Sequence, residues 1–167
     1  AAPCPMNCQY CSFAEVNGVF TEKVTYPLEK VIQDALDLEA AGVNALYLVT
    51  TVLYGRRAFL EAAAQVKAAL KTNIPLIANI PDFGPDYARE LAEVGINGVY
   101  HVIRLGEGKF TSCKPEVRIK TIESALEAGI SVGNCIEPIG PEHSPQEIAD
   151  LVIIARDLGV AFSGAMR

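Results

Sequence analysis

The chain has 167 residues, half of them hydrophobic, and its 20 acidic against 14 basic side chains give a net charge of −6. That length and apolar content fit one domain with a core of its own and exclude a disordered tail. The acidic balance speaks against nucleic acid as a partner, which draws on basic surface, and no apolar run of about 18 residues offers a membrane span.

The chain opens on Ala1 and stops at Arg167, directly after an apolar run. It reads as a fragment of a longer protein, or as a chain trimmed to its ordered part, holding one domain over 1–167. No basic stretch followed by an apolar one marks a secretory leader.

The first feature is a loop with three cysteines, Cys4, Cys8 and Cys11. Five helix–strand units follow it. Residues 27–41 keep a helical period through Leu28, Val31, Ile32, Ala35, Leu36 and Leu38, with Thr25 as N-cap and Gly42 as the stop. Residues 45–50 read as a strand. A helix over 56–71 and a strand over 74–80 come next. Residues 85–94 form a helix stopped by Gly95, and 98–104 a strand that contains His101. Residues 116–128 form a helix stopped by Gly129, and 130–136 a strand. Ser144 caps the last helix, with Pro145 at its first position and Glu147 three residues after the cap. That helix ends at Gly159, and 160–165 is the last strand.

Strict alternation with nearly continuous apolar strands predicts an α/β fold with a parallel sheet and outer helices. Five strands fall short of the eight of a closed barrel, so an open partial barrel or a doubly wound sheet remains. In either, chemistry sits at the carboxyl ends of the strands.

Five cysteines, three of them within eight residues, argue against a disulfide framework and for a metal or redox site in a reducing, cytoplasmic setting. The spacing C-x3-C-x2-C brings three soft thiolates together, which suits zinc or an iron–sulfur cluster. A structural zinc site wants four protein ligands. The nearby sequence supplies three, which leaves one coordination position open for chemistry. The alternative is a zinc-stabilised, non-catalytic binding domain whose fourth ligand is distant, with Cys113 as the candidate.

The stretch Cys4-Pro5-Met6-Asn7-Cys8-Gln9-Tyr10-Cys11 resembles the C-x3-C-x-aromatic-C motif of the radical S-adenosylmethionine (SAM) superfamily. The resemblance implies a [4Fe-4S] cluster held by Cys4, Cys8 and Cys11, with SAM on its fourth iron. It implies reductive cleavage of SAM to a 5′-deoxyadenosyl radical that abstracts hydrogen from a small-molecule substrate, in cofactor or metabolite biosynthesis. It also implies an electron donor such as flavodoxin or ferredoxin. The implied fold is a partial (β/α)6 barrel, here without its first strand, upstream of Ala1, and its last helix, after Arg167. Within the superfamily, Pro115-Glu116-Val117-Arg118-Ile119, Glu127-Ala128-Gly129-Ile130 and Ile139-Gly140-Pro141-Glu142 resemble the biotin synthase-like branch. That branch includes biotin synthase, an [FeFe]-hydrogenase maturase and methylornithine synthase. Cys113 and Cys135 do not match the second cluster of biotin synthase, which counts against that enzyme itself.

By this resemblance Tyr10 and Phe13 flank the adenine of SAM, and Ile139 packs on it. Thr50 and Thr51 stand where the family carries a Gly-Gly-Glu-like stretch for the SAM amino group; threonine is equally a good strand former. Arg104 can clamp a carboxylate and Glu107 can accept from ribose hydroxyls. Arg118 lies in the first turn of a helix, where a cation opposes the dipole, and matches an arginine that binds the SAM carboxylate in the biotin synthase branch. Along 130–136, Ser131, Gly133, Cys135 and Glu137 share a small or polar face suited to a barrel interior. Glu137 is the better candidate for substrate or cofactor, and Cys135 is equally a small buried hydrophobe. Asn79, Asp82, Met166 and Arg167 follow strands and are substrate-side candidates by position. His101 reads as a satisfied core residue and His143 as a loop residue.

Overall fold

A computed structural model describes residues 3–167. The expected strand before Ala1 and helix after Arg167 lie outside the described residues. A 3-10 turn, Glu15–Asn17, ends the cysteine loop. Then come α1 (Leu28–Ala40), β1 (Leu46–Val49), α2 (Arg56–Ala69), β2 (Leu76–Asn79) and α3 (Pro85–Glu93). They are followed by β3 (Gly98–Tyr100), α4 (Pro115–Glu127), β4 (Ser131–Ile136), α5 (Pro145–Leu158) and β5 (Phe162–Ala165).

The five strands form one sheet in the order β1-β2-β3-β4-β5, every neighbour parallel. The order never reverses, so it has no switch point of the doubly wound kind. Right-handed crossovers in an unreversed order place every helix on one face, as in a barrel wall. The sheet stays open, with β1 and β5 as its edges.

Strand alternation divides the two faces. Leu46, Leu76, Ala78, Val99 and Val132 point to the helices and join one core with Phe59, Ala63, Val66, Leu91 and Ile122. The other set runs through Tyr47, Val49, Ile77, Tyr100, Cys135 and Phe162. Tyr47, Val49 and Phe162 are exposed on it. Gly133 belongs to this face because a Cβ there would overlap the Phe162 ring.

Two expectations need correction. Thr25 is not the cap of α1: Pro27 takes that position, at φ −57°, and no side chain bonds the first turn. Proline holds the residue before it in extended backbone, so the helix starts only at Leu28. The strand expected over 98–104 ends at Tyr100. His101 N–H still reaches the Gly133 carbonyl at 3.0 Å, but the Ile103 N–H goes to the side-chain oxygen of Asn134 at 3.4 Å. A side-chain acceptor replaces the ladder, and His101 lies just past the strand rather than inside it. The last helix matches its signals: Ser144 and Glu147 form a reciprocal capping box and Gly159 closes the helix at φ 75°.

Candidate active site

The cysteine loop is tied shut by its own backbone. Cys4 N–H donates to Phe13 O at 2.7 Å, and Glu15 N–H to Cys4 O at 2.9 Å. Inside, Cys11 N–H meets Cys8 O and Ala14 N–H meets Cys11 O, each at 3.0 Å. Asn17 then gathers three carbonyls on one amide: Cys8 O at 3.1 Å, Gln9 O at 3.3 Å and Cys11 O at 2.8 Å. Gln9 N–H reaches across to Phe110 O at 3.0 Å and fastens the loop to the segment after β3. Asn17 was not singled out from the sequence; its signal was the Asn17-Gly18 turn pair, with Gly18 at φ 61°.

Cys4, Cys8 and Cys11 are half-buried. The neighbouring Cys113 thiol, followed by burial, pushes the Cys8 pKa up. Cys113 shifts the other way, lowered by the Cys8 thiol and by the charge of Arg118. Among the described residues no three acidic, cysteine or histidine side chains converge as a ready metal site. The three thiols share a closed loop rather than a point. As a donor set they still fit an iron–sulfur cluster: soft sulfur ligands on one short, tethered segment, half-open to a cavity.

That cavity, of about 320 Å3, is where the loop meets the strand ends. Tyr10, Cys11 and Phe13 line it from the loop, Arg104 and Glu137 from the segments after β3 and β4, and Met166 and Arg167 from the end of β5. Six residues singled out from separate parts of the sequence therefore share one space with Cys11.

Its polar wall is a connected network. Arg104 Nε lies 3.1 Å from Glu137 Oε1, and Tyr100 OH donates to Glu137 Oε2 at 2.9 Å. The Arg104 N–H donates to Glu107 Oε2 at 2.9 Å, and Thr111 OH to Glu107 Oε1 at 3.0 Å. The Arg104 guanidinium lies 5.7 Å from the centre of the Tyr10 ring. Burial and the Glu137 carboxylate push the Tyr100 phenol up, so it stays a neutral donor. Burial also pushes Tyr10 up. Burial pulls Arg104 down, but Tyr10, Glu137 and Glu107 more than offset it. Cys135 is buried behind this wall, its pKa raised mainly by burial.

Arg118 belongs to a second, deeper network. Its Nη1 donates to Asp82 Oδ1 at 3.1 Å and its Nη2 to Cys113 Sγ at 3.2 Å. Its Nε is buried without a hydrogen-bond partner, 3.9 Å from Glu107 Oε2. His101, 2% exposed, places Nε2 at 2.8 Å from Asp82 Oδ1. Burial drives the His101 pKa down against the opposing pull of Asp82. Burial pushes Asp82 up, but the bond from His101 and the charge of Arg118 win and its pKa is lowered. His101 is thus the satisfied buried residue expected of it. His143 sits in a loop with its Nδ1 accepting from Gly140 N–H at 3.1 Å.

The remaining candidates lie elsewhere. Ile139 is outside the 320 Å3 cavity, and its N–H donates to Met166 O at 2.9 Å. Thr50 and Thr51 follow β1 and line a different, more apolar cavity of about 440 Å3 with Pro3, Tyr26 and Tyr47. Asn79 ends β2 opposite Val49.

Comparison with known proteins fits this picture. In fold, the chain is similar to HydG, a maturase of the [FeFe]-hydrogenase, at 17% identity and a TM-score of 0.69 over 98% of this chain and 40% of that one. It is similar to Streptococcus suis SuiB, solved bound to S-adenosylmethionine, at 14% identity and a TM-score of 0.68 over 98% and 38%. The HMG-CoA lyase of Brucella melitensis matches at 16% identity and a TM-score of 0.61 over 86% of this chain and 55% of that one. The chain thus spans well under two thirds of these proteins. Likeness at such identity speaks for the fold, a parallel α/β partial barrel. No curated protein matches the chain. The radical SAM superfamily model matches residues 3–163, nearly the whole sequence. The family implies a [4Fe-4S] cluster and SAM as cofactors. The chain belongs to the radical SAM superfamily of enzymes.

Proposed function

We propose that this domain binds SAM between the cysteine loop and the ends of β3, β4 and β5, and uses it for radical chemistry on a small-molecule substrate. The observation that carries this reading is the cavity in which Cys11 shares walls with Arg104 and Glu137. A reduced [4Fe-4S] cluster, when bound, supplies one electron that cleaves SAM to methionine and a 5′-deoxyadenosyl radical, which abstracts hydrogen from substrate.

The chain's own residues do the rest. Cys4, Cys8 and Cys11 hold the cluster. Tyr10 and Phe13 give the cavity an aromatic side for the adenine. Arg104, held by Glu137 and stacked near Tyr10, offers donors for an anionic group. Glu107 faces inward as an acceptor, and Arg118 keeps one buried N–H free. Met166 and Arg167 line the cavity from the end of β5. The residues around Arg118, Gly129 and Gly140 support placement in the biotin synthase-like branch, with work in cofactor or metabolite biosynthesis. The electron donor is a small reductant protein such as flavodoxin or ferredoxin, and the setting a reducing one such as the cytoplasm.

The test is anaerobic reconstitution with iron and sulfide, reduction, addition of SAM, and mass spectrometry for 5′-deoxyadenosine. The expected result is its formation by the wild type and its loss in Cys8→Ala. A colourless protein carrying zinc overturns the reading.

A further inference from the structure

Asn17 stands where the two halves of the cysteine loop meet. Its main chain belongs to the Cys4 half, which the Cys4–Phe13 and Glu15–Cys4 backbone bonds fasten to the turn Glu15–Asn17. Asn17 N–H donates to Ala14 O at 3.0 Å and Gly18 N–H to Glu15 O at 3.1 Å, which closes that turn. Ala14, 1% exposed, anchors it in the fold. The Asn17 side chain belongs to the other half, because its Nδ2 donates to the carbonyls of Cys8, Gln9 and Cys11. No other side chain among the described residues bonds these three oxygens.

Three carbonyl oxygens turned to one point repel one another unless a donor stands between them. An amide nitrogen carries two hydrogens, so three acceptors within 3.3 Å take its whole capacity, with one hydrogen shared. Turning these carbonyls also sets the far ends of their peptide units, since the C=O and N–H of a planar trans peptide point apart. The N–H of Gln9 is used on Phe110 O. The N–H groups of Tyr10 and Ser12 have no acceptor among the described residues and are turned away from Asn17 as free donors. The sulfur atoms of an iron–sulfur cluster accept bonds from such donors.

We propose that Asn17 is a positioning residue for the cluster: its amide hydrogens hold Cys8 and Cys11 in a fixed place relative to Cys4 and leave the Tyr10 and Ser12 N–H groups free for the cluster's sulfur. The donor character of the amide does this, not its bulk. The proposal rests on the reading that Cys4, Cys8 and Cys11 hold the cluster.

The experiment loads the full chain and its Asn17 variants anaerobically with iron and sulfide, then follows cluster loss to an iron chelator by the fading of visible absorbance. Asn17→Ala is expected to lose its cluster about tenfold faster than the wild type, the scale of a lost contact behind a metal ligand. Asn17→Asp has the same size but sets an acceptor against three acceptors, and is expected to lose it faster still. A role in packing alone gives the opposite order, with Asp closer to the wild type than Ala; that order, or equal rates in all three, overturns the proposal. Urea midpoints of the cluster-free variants are expected to match the wild type, because Asn17 is exposed and outside the core. A fall that parallels the cluster loss would make Asn17 a residue of the fold and also overturns the proposal. 5′-Deoxyadenosine is measured on the same loaded samples. Its formation together with equal rates of cluster loss overturns this proposal alone. A wild type that loads the cluster and forms none, with the expected order of rates, supports this proposal and overturns the radical reading. Zinc bound in place of a cluster overturns both.

Discussion

Two arginines near the cysteine loop stand in opposite kinds of surroundings. Arg104 lies on a cavity wall beside Glu137 and Tyr10, with one side of its network open to a ligand. Arg118 is tucked under the strand ends between Asp82, His101 and Cys113. Its side chain is 11% exposed, and the His101 ring beside it is 2% exposed. The first network is arranged around space and the second around itself. A charged side chain at a wall can exchange a lost partner for water or a ligand. One that is closed in cannot, and its partner becomes structural.

The largest expected difference between them is in stability. Asp82→Ala leaves Arg118 and His101 without their shared acceptor and is expected to cost about 3 kcal/mol, toward the lower end for a broken buried pair because Asp82 itself is part-exposed. Glu137→Ala removes the acceptor for Arg104 and Tyr100, but both face the cavity side, and about 1 kcal/mol is expected. Urea unfolding of the two cluster-free variants measures both. Equal losses would erase the distinction between the networks.

The order reverses for cofactor binding. Arg104→Met is expected to weaken S-adenosylhomocysteine about ten- to a hundredfold, the scale of a lost charge-assisted hydrogen bond. Its unfolding midpoint is expected to stay close to that of the wild type. A variant that unfolds readily and still binds the compound would put Arg104 in the structural class with Arg118.

Acid sharpens the contrast without any substitution in the cavity. The His101 pKa in the folded chain lies below its ordinary value near 6.5 because the ring is buried. As pH falls through about 6.5 the unfolded chain takes up this proton first, so the folded state loses stability at up to ~1.4 kcal/mol per pH unit. The loss continues until the folded ring itself is protonated. The Asp82 pKa is also lowered, so a second loss sets in below about 4, where the unfolded carboxylate protonates first. Stability is therefore full above about pH 6.5 and declines on the acid side. Urea midpoints at pH 7 and pH 5 are expected to differ in the wild type and to converge in His101→Gln. A wild type as stable at pH 5 as at pH 7 would mean that burial does not lower the ring's pKa, and one more stable at pH 5 that the ring is charged in its buried site.

The sequence showed these two regions unequally, for physical reasons. Helix periods, glycine stops and the capping box at Ser144 are local, so the elements and their alternation were readable. The parallel sheet followed from that alternation, but its unreversed order did not, because strand neighbours are a tertiary matter. The cysteine loop was readable because its three cysteines lie within eight residues. Arg104 stood out by its capacity to clamp a carboxylate, Glu137 by strand alternation and Met166 only by position, and the cavity that joins them needs three elements to converge. Arg118 stood out because a cation in a first helical turn opposes the dipole. Its partners Asp82 and His101 lie 36 and 17 residues away, beyond any local signal. Thr25 was misread as a cap because Pro27 delays the helix, and the strand after Gly98 was drawn too long because no pattern announces that Asn134 takes the Ile103 N–H.

The smallest expected effect marks the boundary of both networks. Ser144→Ala removes the side chain that accepts the Glu147 N–H at 3.2 Å and leaves Glu147 Oε2 with only the Ser144 N–H at 2.7 Å. The expected cost is about 1 kcal/mol, typical of a lost N-cap. Glu147 carries a pKa lowered by these same bonds, and the group is exposed, so the loss is set by the cap and not by a buried charge. The α5 terminus touches neither arginine network through any hydrogen bond or ion pair among the described residues. S-adenosylhomocysteine affinity in Ser144→Ala is therefore expected to match the wild type while the urea midpoint falls. A parallel loss of affinity would show that α5 sets the position of β5, and with it Met166 and Arg167, and that the cavity's outer wall is held by helix packing as well as by Arg104 and Glu137.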